Sequence, residues 1–259
     1  MPSQDSPTII AVANQKGGVG KTTTAVNLSC ALALLGKTVL IIDSDPQGNA
    51  SSGVGIRPGK TEQHLYQTLC GETPADDVIR KTDVTNLSII PATIDLVAAE
   101  LELINESHRE RFLKNTIQSI ATPFDFIFID CPPSLGLLTV NALTAAHAVL
   151  IPMQCEYFAM EGLAQLINTI RSVKKSFNPD LFIAGLLLTM FDTRNKLSHQ
   201  VSSEISHHFG DQVFRTIIPR NVRLSECPSH GQTIMQYDHK SSGAAAYSSL
   251  ANEFLQRQR

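Results

Sequence analysis

The chain has 259 residues, 42% of them apolar and 17% charged, proportions that exclude a disordered or fibrous protein and suit one compact α/β domain spanning residues 1–259. No apolar run approaches the ~20 residues that cross a bilayer, and the polar opening at 1–7 lacks the basic start and apolar stretch of a secretory signal, so a cytoplasmic protein with a flexible N-terminal tail is expected. The net charge of −3 argues against a generally basic surface, and the five cysteines are scattered without a C-x-x-C pair, which argues against zinc or redox work.

Residues 8–13 (T-I-I-A-V-A) form a β-branched run that reads as a strand buried on both faces. A glycine-rich turn follows. From 21 to 35, Ala25, Leu28, Ala31, Leu32 and Leu35 recur at helical spacing, and Gly36 stands where a helix stop favours a left-handed residue. A second apolar run at 38–42 ends at Asp43, which completes a βαβ unit with a parallel, right-handed crossover. The Gly- and Ser-rich stretch 51–60 reads as a mobile loop.

The alternation continues with strands at 87–91, 126–129, 148–152 and 182–189. Helices are expected at 96–113, 162–175, 198–209 and 244–256. The fold class is therefore α/β, a doubly wound, mostly parallel sheet flanked by helices. Because the first strand begins near Thr8, no helix-turn-helix is expected ahead of it.

The segment Lys16-Gly17-Gly18-Val19-Gly20-Lys21-Thr22-Thr23 lies between the first strand and the first helix, the context that gives a P-loop pattern its meaning. Glycines let backbone N–H groups wrap phosphates, the helix N-terminus adds partial positive charge, Lys21 reaches the β and γ oxygens, and the Thr22 hydroxyl is offered to Mg²⁺. Hydrolysis also needs carboxylates at neighbouring strand ends. Asp43 and Asp130 occupy two such ends and are candidates for the magnesium shell, and Asp45 is the candidate that positions the attacking water. The plainer alternative is that these aspartates cap the turns that follow them. A dinucleotide-binding fold fits poorly, because Lys21-Thr22 stands where a small residue is needed and no complete G-x-G-x-x-G is present.

The common Walker A pattern has glycine where this chain has Gln15 and does not require Lys16. A lysine at that point resembles the deviant Walker family that contains ParA, MinD and the nitrogenase iron protein, in which it reaches across a dimer to the partner's phosphates. The resemblance to ParA/Soj partitioning ATPases extends from about residue 8 to 255. It is carried by Ala13-Asn14-Gln15-Lys16, Asp45-Pro46-Gln47-Gly48-Asn49, Thr93-Ile94-Asp95-Leu96, Ala98-Ala99-Glu100-Leu101, Glu156-Tyr157-Phe158-Ala159 and Pro219-Arg220-Asn221-Val222-Arg223-Leu224-Ser225-Glu226. It implies catalytic roles for Lys16, Lys21 and Asp45, base contacts near Pro219 and Asn221, a second switch at Cys131-Pro132-Pro133-Ser134, and an ATP-sandwich homodimer.

The resemblance further implies nonspecific binding of duplex DNA by the ATP dimer through Arg194, Arg220 and Arg223, with weaker help from Lys196 and Lys240. It also implies release after slow hydrolysis stimulated by a ParB-type centromere-binding protein, and association with the nucleoid. Taken singly, each arginine is equally consistent with a surface ion pair. Residues 1–189 carry 13 Lys+Arg against 18 Asp+Glu, a balance of −5, whereas 190–259 carry 8 against 6, a balance of +2, which is permissive for DNA. The alternatives are positioning of a protein cargo or MinD-like membrane association. The latter is disfavoured because the C-terminal segment has only Leu250, Phe254 and Leu255 as large apolar residues and reads as packing on the core. Adjacent His207 and His208 point about 100° apart on a helix and read as surface, so no transition metal is expected.

Overall fold

In a computed structural model, residues 6–59, 62–156 and 159–258 are described. Most of the expected tail, Lys60 at the end of the expected loop, and Tyr157-Phe158 lie outside them.

The first half runs β1 (Thr8–Val12), α1 (Lys21–Leu34), β2 (Val39–Asp43), α2 (Asn49–Gly53), α3 (Leu65–Leu69), α4 (Ala75–Val78), β3 (Arg80–Lys81), β4 (Leu87–Ile90), α5 (Leu96–Glu102), α6 (Phe112–Gln118) and β5 (Phe126–Asp130). The second half runs α7 (Leu137–Ala145), β6 (Ala148–Gln154), α8 (Ala159–Ser176), β7 (Phe182–Thr189), α9 (Lys196–Phe209), α10 (Val222–Glu226), α11 (Ile234–Tyr237) and α12 (Ser242–Arg257).

The strands form one sheet in the order β3-β4-β2-β5-β1-β6-β7, parallel except for the short edge strand β3. Side chains alternate across each strand. Ile10, Val12, Ile41, Phe128 and Leu187 enter a core with α1 and α12 on one face, while Ile9, Ala11, Ile42, Ile129 and Leu188 enter a second core with α5 to α9 on the other. Covering both faces buries the sheet, which explains the continuous apolar runs in the sequence. On α12, Leu250, Ala251 and Phe254 are buried against α1, and the Tyr247 hydroxyl lies 3.2 Å from that of Thr24.

Two expectations need correction. The helix expected over 96–113 is interrupted: α5 ends at Glu102, 3₁₀ turns occupy Leu103–Asn105 and Arg109–Arg111, and α6 begins at Phe112. Between the turns His108 has φ 59°, a left-handed conformation that an α-helix does not accommodate. The stretch 51–60 is not all loop either. Residues 51–53 complete α2; Ser51 is buried with its hydroxyl turned inward to bond Asp43, and Gly53 is buried facing Val26.

Candidate functional site

The site lies at the C-terminal ends of the central strands, where the register aligns Val12 with Asp130 and Asp43 with Asp130. This is where ligands of open parallel sheets bind, because the loops leaving the strands gather there. The glycine loop between β1 and α1 is pinned from three directions. The Asn14 side chain donates to the Pro152 carbonyl at 2.7 Å and accepts from Lys16 N–H at 3.0 Å, and the Thr189 hydroxyl donates to the Val19 carbonyl at 2.8 Å. Gly18 and Gly20 have φ of 72° and 87°, so glycine is favoured where the loop bends into the helix.

Gly17, Gly18, Gly20, Lys21, Thr22 and Thr23 line one side of a cleft of about 410 Å³. Asp45, Gln47, Asn49, Pro133, Met190 and Gln232 also face it. Lys21 is buried and donates to the Lys16 carbonyl at 3.1 Å. Burial lowers its pKa, and nearby Asp130 partly offsets that effect. Asp45 is buried, and its Oδ1 accepts from Gln47 N–H at 2.9 Å.

Asp43 and Asp130 are both fully buried yet differently supported. Asp43 accepts from the Ser51 N–H at 2.8 Å and hydroxyl at 2.6 Å, and from Asp45 N–H at 3.3 Å. Burial still raises its pKa to about 6, against the lowering effect of Ser51. Neither Asp130 oxygen has a hydrogen-bond partner within bonding geometry among the described residues. Burial and then the neighbouring Asp43 charge push its pKa well up, while Thr22 and Lys21 act in the opposite direction.

An orphaned buried carboxylate costs free energy unless a cation completes it. With Thr22 beside it, Asp130 suits a hard, oxygen-seeking cation. Backbone N–H groups at a helix start, a buried ammonium and such a cation together suit a polyphosphate.

Lys16 behaves differently from the rest of the loop. It does not line the cleft; its ammonium pairs with Glu156, and both side chains are partly exposed.

Residues 7–183 match the family model described as an AAA domain. Over 245 residues, covering 95% of this chain and 97% of the other, the sequence is 56% identical to the sporulation initiation inhibitor protein Soj of Bacillus subtilis. The chain belongs to the ParA/Soj family of partitioning ATPases.

A second ParA/Soj relative, the chromosome partitioning protein ParA of Myxococcus xanthus, is 51% identical over 96% of this chain and 88% of its own. Among solved structures, one titled cobyrinic acid a,c-diamide synthase from Mycobacterium smegmatis, with bound ATP analogue and magnesium, superposes with a TM-score of 0.85. It is 37% identical and covers 97% of this chain and 96% of its own.

The other ParA/Soj positions named from sequence are less convergent. Pro219 and Asn221 are not among the residues that line the cleft, although a bridge pairs Pro219 with Phe191, next to Met190. Both polar atoms of the Asn221 side chain are engaged: Oδ1 caps α10 by accepting from Arg223 N–H, and Nδ2 donates to Ser242. Arg194, Arg220 and Arg223 are exposed. Arg194 is held bidentate by Asp192 at 3.0 Å, and Arg223 pairs with Glu226 at 3.0 Å and Asp238 at 3.6 Å. His207 and His208 are exposed on α9, in edge-to-face contact with each other.

Sequence reasoning did not assign roles to Ser51, Thr189, Met190 or Gln232. Only the ParA/Soj motifs brought Asn14 and Glu156 to notice. Each of these six acts through a partner or a cleft that local sequence does not reveal.

Proposed function

We propose that this partitioning ATPase, as a single P-loop domain over 1–259, binds ATP with magnesium and uses the nucleotide to switch between a monomer and a sandwich homodimer. In this reading Gly17 to Thr23 hold the phosphates, and Thr22, Asp43 and Asp130 hold magnesium, Asp43 acting through its neighbours because Ser51 already occupies it. Magnesium, when bound, neutralises charge on the phosphate oxygens. Asp45 orients the attacking water and Lys21 stabilises the developing charge. Pro219 and Asn221 flank the base.

The observation that carries the reading is the direction of Lys16. Lys21, Thr22 and Thr23 line the chain's own cleft, whereas Lys16 does not and, held there only by an exposed pair with Glu156, is free to serve another. Breaking its exposed pair with Glu156 costs only ~0–1 kcal/mol, well within what contacts to a partner's phosphates return.

The dimer binds duplex DNA through Arg194, Arg220 and Arg223 without reading sequence, which places the protein in the cytoplasm on the nucleoid. Slow hydrolysis, accelerated by a ParB-type centromere-binding protein, releases it. Loss of the γ-phosphate removes the contact that favours the dimer, a population shift driven by the ligand.

The test is binding to a random-sequence duplex with ATP, ADP or no nucleotide, comparing wild type with Lys16→Ala and Arg223→Ala across a salt series. Binding with ATP alone, lost in both variants and falling steeply with salt, is the expected result. Absence of binding by protein shown to dimerise in ATP would overturn the DNA reading and leave the ATPase standing.

A further inference from the structure

His64, the residue immediately before α3, is 3% exposed and lies outside the nucleotide cleft. A buried imidazole needs partners for its ring N–H. Nε2 has two within reach, the Thr93 hydroxyl at 2.9 Å and Asp95 Oδ2 at 3.2 Å. The Thr93 hydroxyl in turn donates to Asp95 Oδ2 at 3.2 Å, which leaves its oxygen free to accept, so the ring proton sits on Nε2 and points at Thr93. Burial lowers the His64 pKa, with Asp95 acting in the opposite direction, so the ring is neutral at neutral pH.

Backbone hydrogen bonds tie the same corner. Leu65 N–H donates to the Pro91 carbonyl at 2.9 Å, His64 N–H to Gln67 Oε1 at 2.9 Å, and Asp95 N–H to Thr93 Oγ1 at 3.3 Å. The turn from β4 into α5, residues 91–95, is thus held against the start of α3, with the His64 ring as its side-chain clamp.

That turn aims Ser51. Ala92, one residue before Thr93, donates its N–H to Ser51 Oγ at 3.0 Å, and the Ser51 hydroxyl donates to Asp43 Oδ2 at 2.6 Å. A hydroxyl that accepts one bond directs its own proton away from the donor, so the Ala92 N–H sets the direction in which Ser51 meets the carboxylate. The Ala92 carbonyl also lies 3.0 Å from where a Cβ on Gly48 would stand, so the turn packs on the backbone where α2 begins. His64, Thr93, Ala92, Ser51 and Asp43 therefore form one series, joined by hydrogen bonds except for the peptide bond between Ala92 and Thr93.

We infer that His64 and Thr93 are positioning residues for the magnesium centre: they fix the Ala92 N–H, through it the Ser51 hydroxyl, and so the direction in which Asp43 presents its carboxylate. Neither lines the cleft, and both act only through Ser51. Asp95, half in solvent at the far end of the series, anchors the Thr93 hydroxyl from outside. The inference rests on the reading of Asp43 as part of the magnesium shell. Partners of this kind, one layer or more behind a ligand, orient it and tune its affinity for the metal.

The test is the magnesium dependence of ATP hydrolysis by the full chain. Thr93→Val and His64→Leu are expected to raise the magnesium concentration for half-maximal rate about three- to tenfold, at or below the lower end of what outer partners of metal ligands cost. Thr93→Ser and His64→Gln, which restore a hydroxyl and an N–H donor, should stay near wild type. Affinity for a fluorescent ATP analogue in EDTA should be the same in all four variants. Because Thr93 acts through Ser51, adding Thr93→Val to Ser51→Ala should raise the magnesium requirement little further. An unchanged requirement in Thr93→Val and His64→Leu, an equal rise in the conservative variants, an additive double variant, or loss of analogue binding in EDTA each overturns the inference. Asp43→Asn separates the two failures: a raised requirement there with none in Thr93→Val sinks the positioning role alone, whereas an unchanged requirement removes Asp43 from the magnesium shell and the inference with it.

Discussion

Asp43 and Asp130 stand side by side at the ends of adjacent parallel strands, and among the described residues only the Asp43 carboxylate has hydrogen-bond partners within bonding geometry. Both have pKa values raised by burial, so the protonated form of each favours the folded state. Their contribution to stability is present below the ordinary carboxylate pKa and is lost as pH rises through the folded value, about 6 for Asp43. Asp130→Asn removes one buried charge. Thermal melts without nucleotide should show the variant's advantage over wild type growing as pH rises from about 4 to about 8, by roughly 2–4 °C for each kcal/mol recovered. The same variant should lose magnesium-dependent hydrolysis. A variant less stable than wild type at the higher pH would mean that Asp130 is paired in solution.

Ser51 supports Asp43 with two hydrogen bonds, and its hydroxyl also accepts from Ala92 N–H at 3.0 Å. Ser51→Ala leaves the buried Ala92 N–H without a partner and removes one of the two hydrogen bonds to Asp43 Oδ2, the backbone N–H of residue 51 keeping the other. A stability loss of about 1–3 kcal/mol is expected from urea unfolding. An unchanged midpoint would show that water replaces the hydroxyl.

Lys16→Ala should retain monomeric ATP binding and lose ATP-dependent dimerisation and hydrolysis, read by sedimentation and phosphate release. Glu156→Gln only frees Lys16 from an exposed ion pair and should change the dimerisation constant by less than about fivefold. A much larger loss would give Glu156 a direct role across the dimer.

Asp45→Ala should bind ATP, dimerise and remain on DNA because water is no longer positioned, with turnover falling about a hundredfold or more. Normal turnover would remove Asp45 from the catalytic assignment.

The glycine loop, its following helix and the strand-end aspartates were legible because each is a local pattern whose chemistry depends on neighbours in sequence. The broken helix at 96–113 was not. Its apolar spacing suits a helix throughout, and nothing in that spacing reveals the left-handed turn at His108.

By itself the sequence determined that a buried parallel sheet carries a phosphate loop ending in Lys21 and Thr22, because apolar runs, glycines and a lysine in that order permit little else. The tertiary structure alone decided how that loop is held and aimed. Thr189 reaches Val19 across 170 residues, Asn14 reaches Pro152 across 138, and Lys16 meets Glu156 across 140. Such contacts depend on strand order and crossover. The β1–β6–β7 neighbourhood that creates them arises only when the sheet closes around β1, bringing together loops that the chain itself keeps far apart.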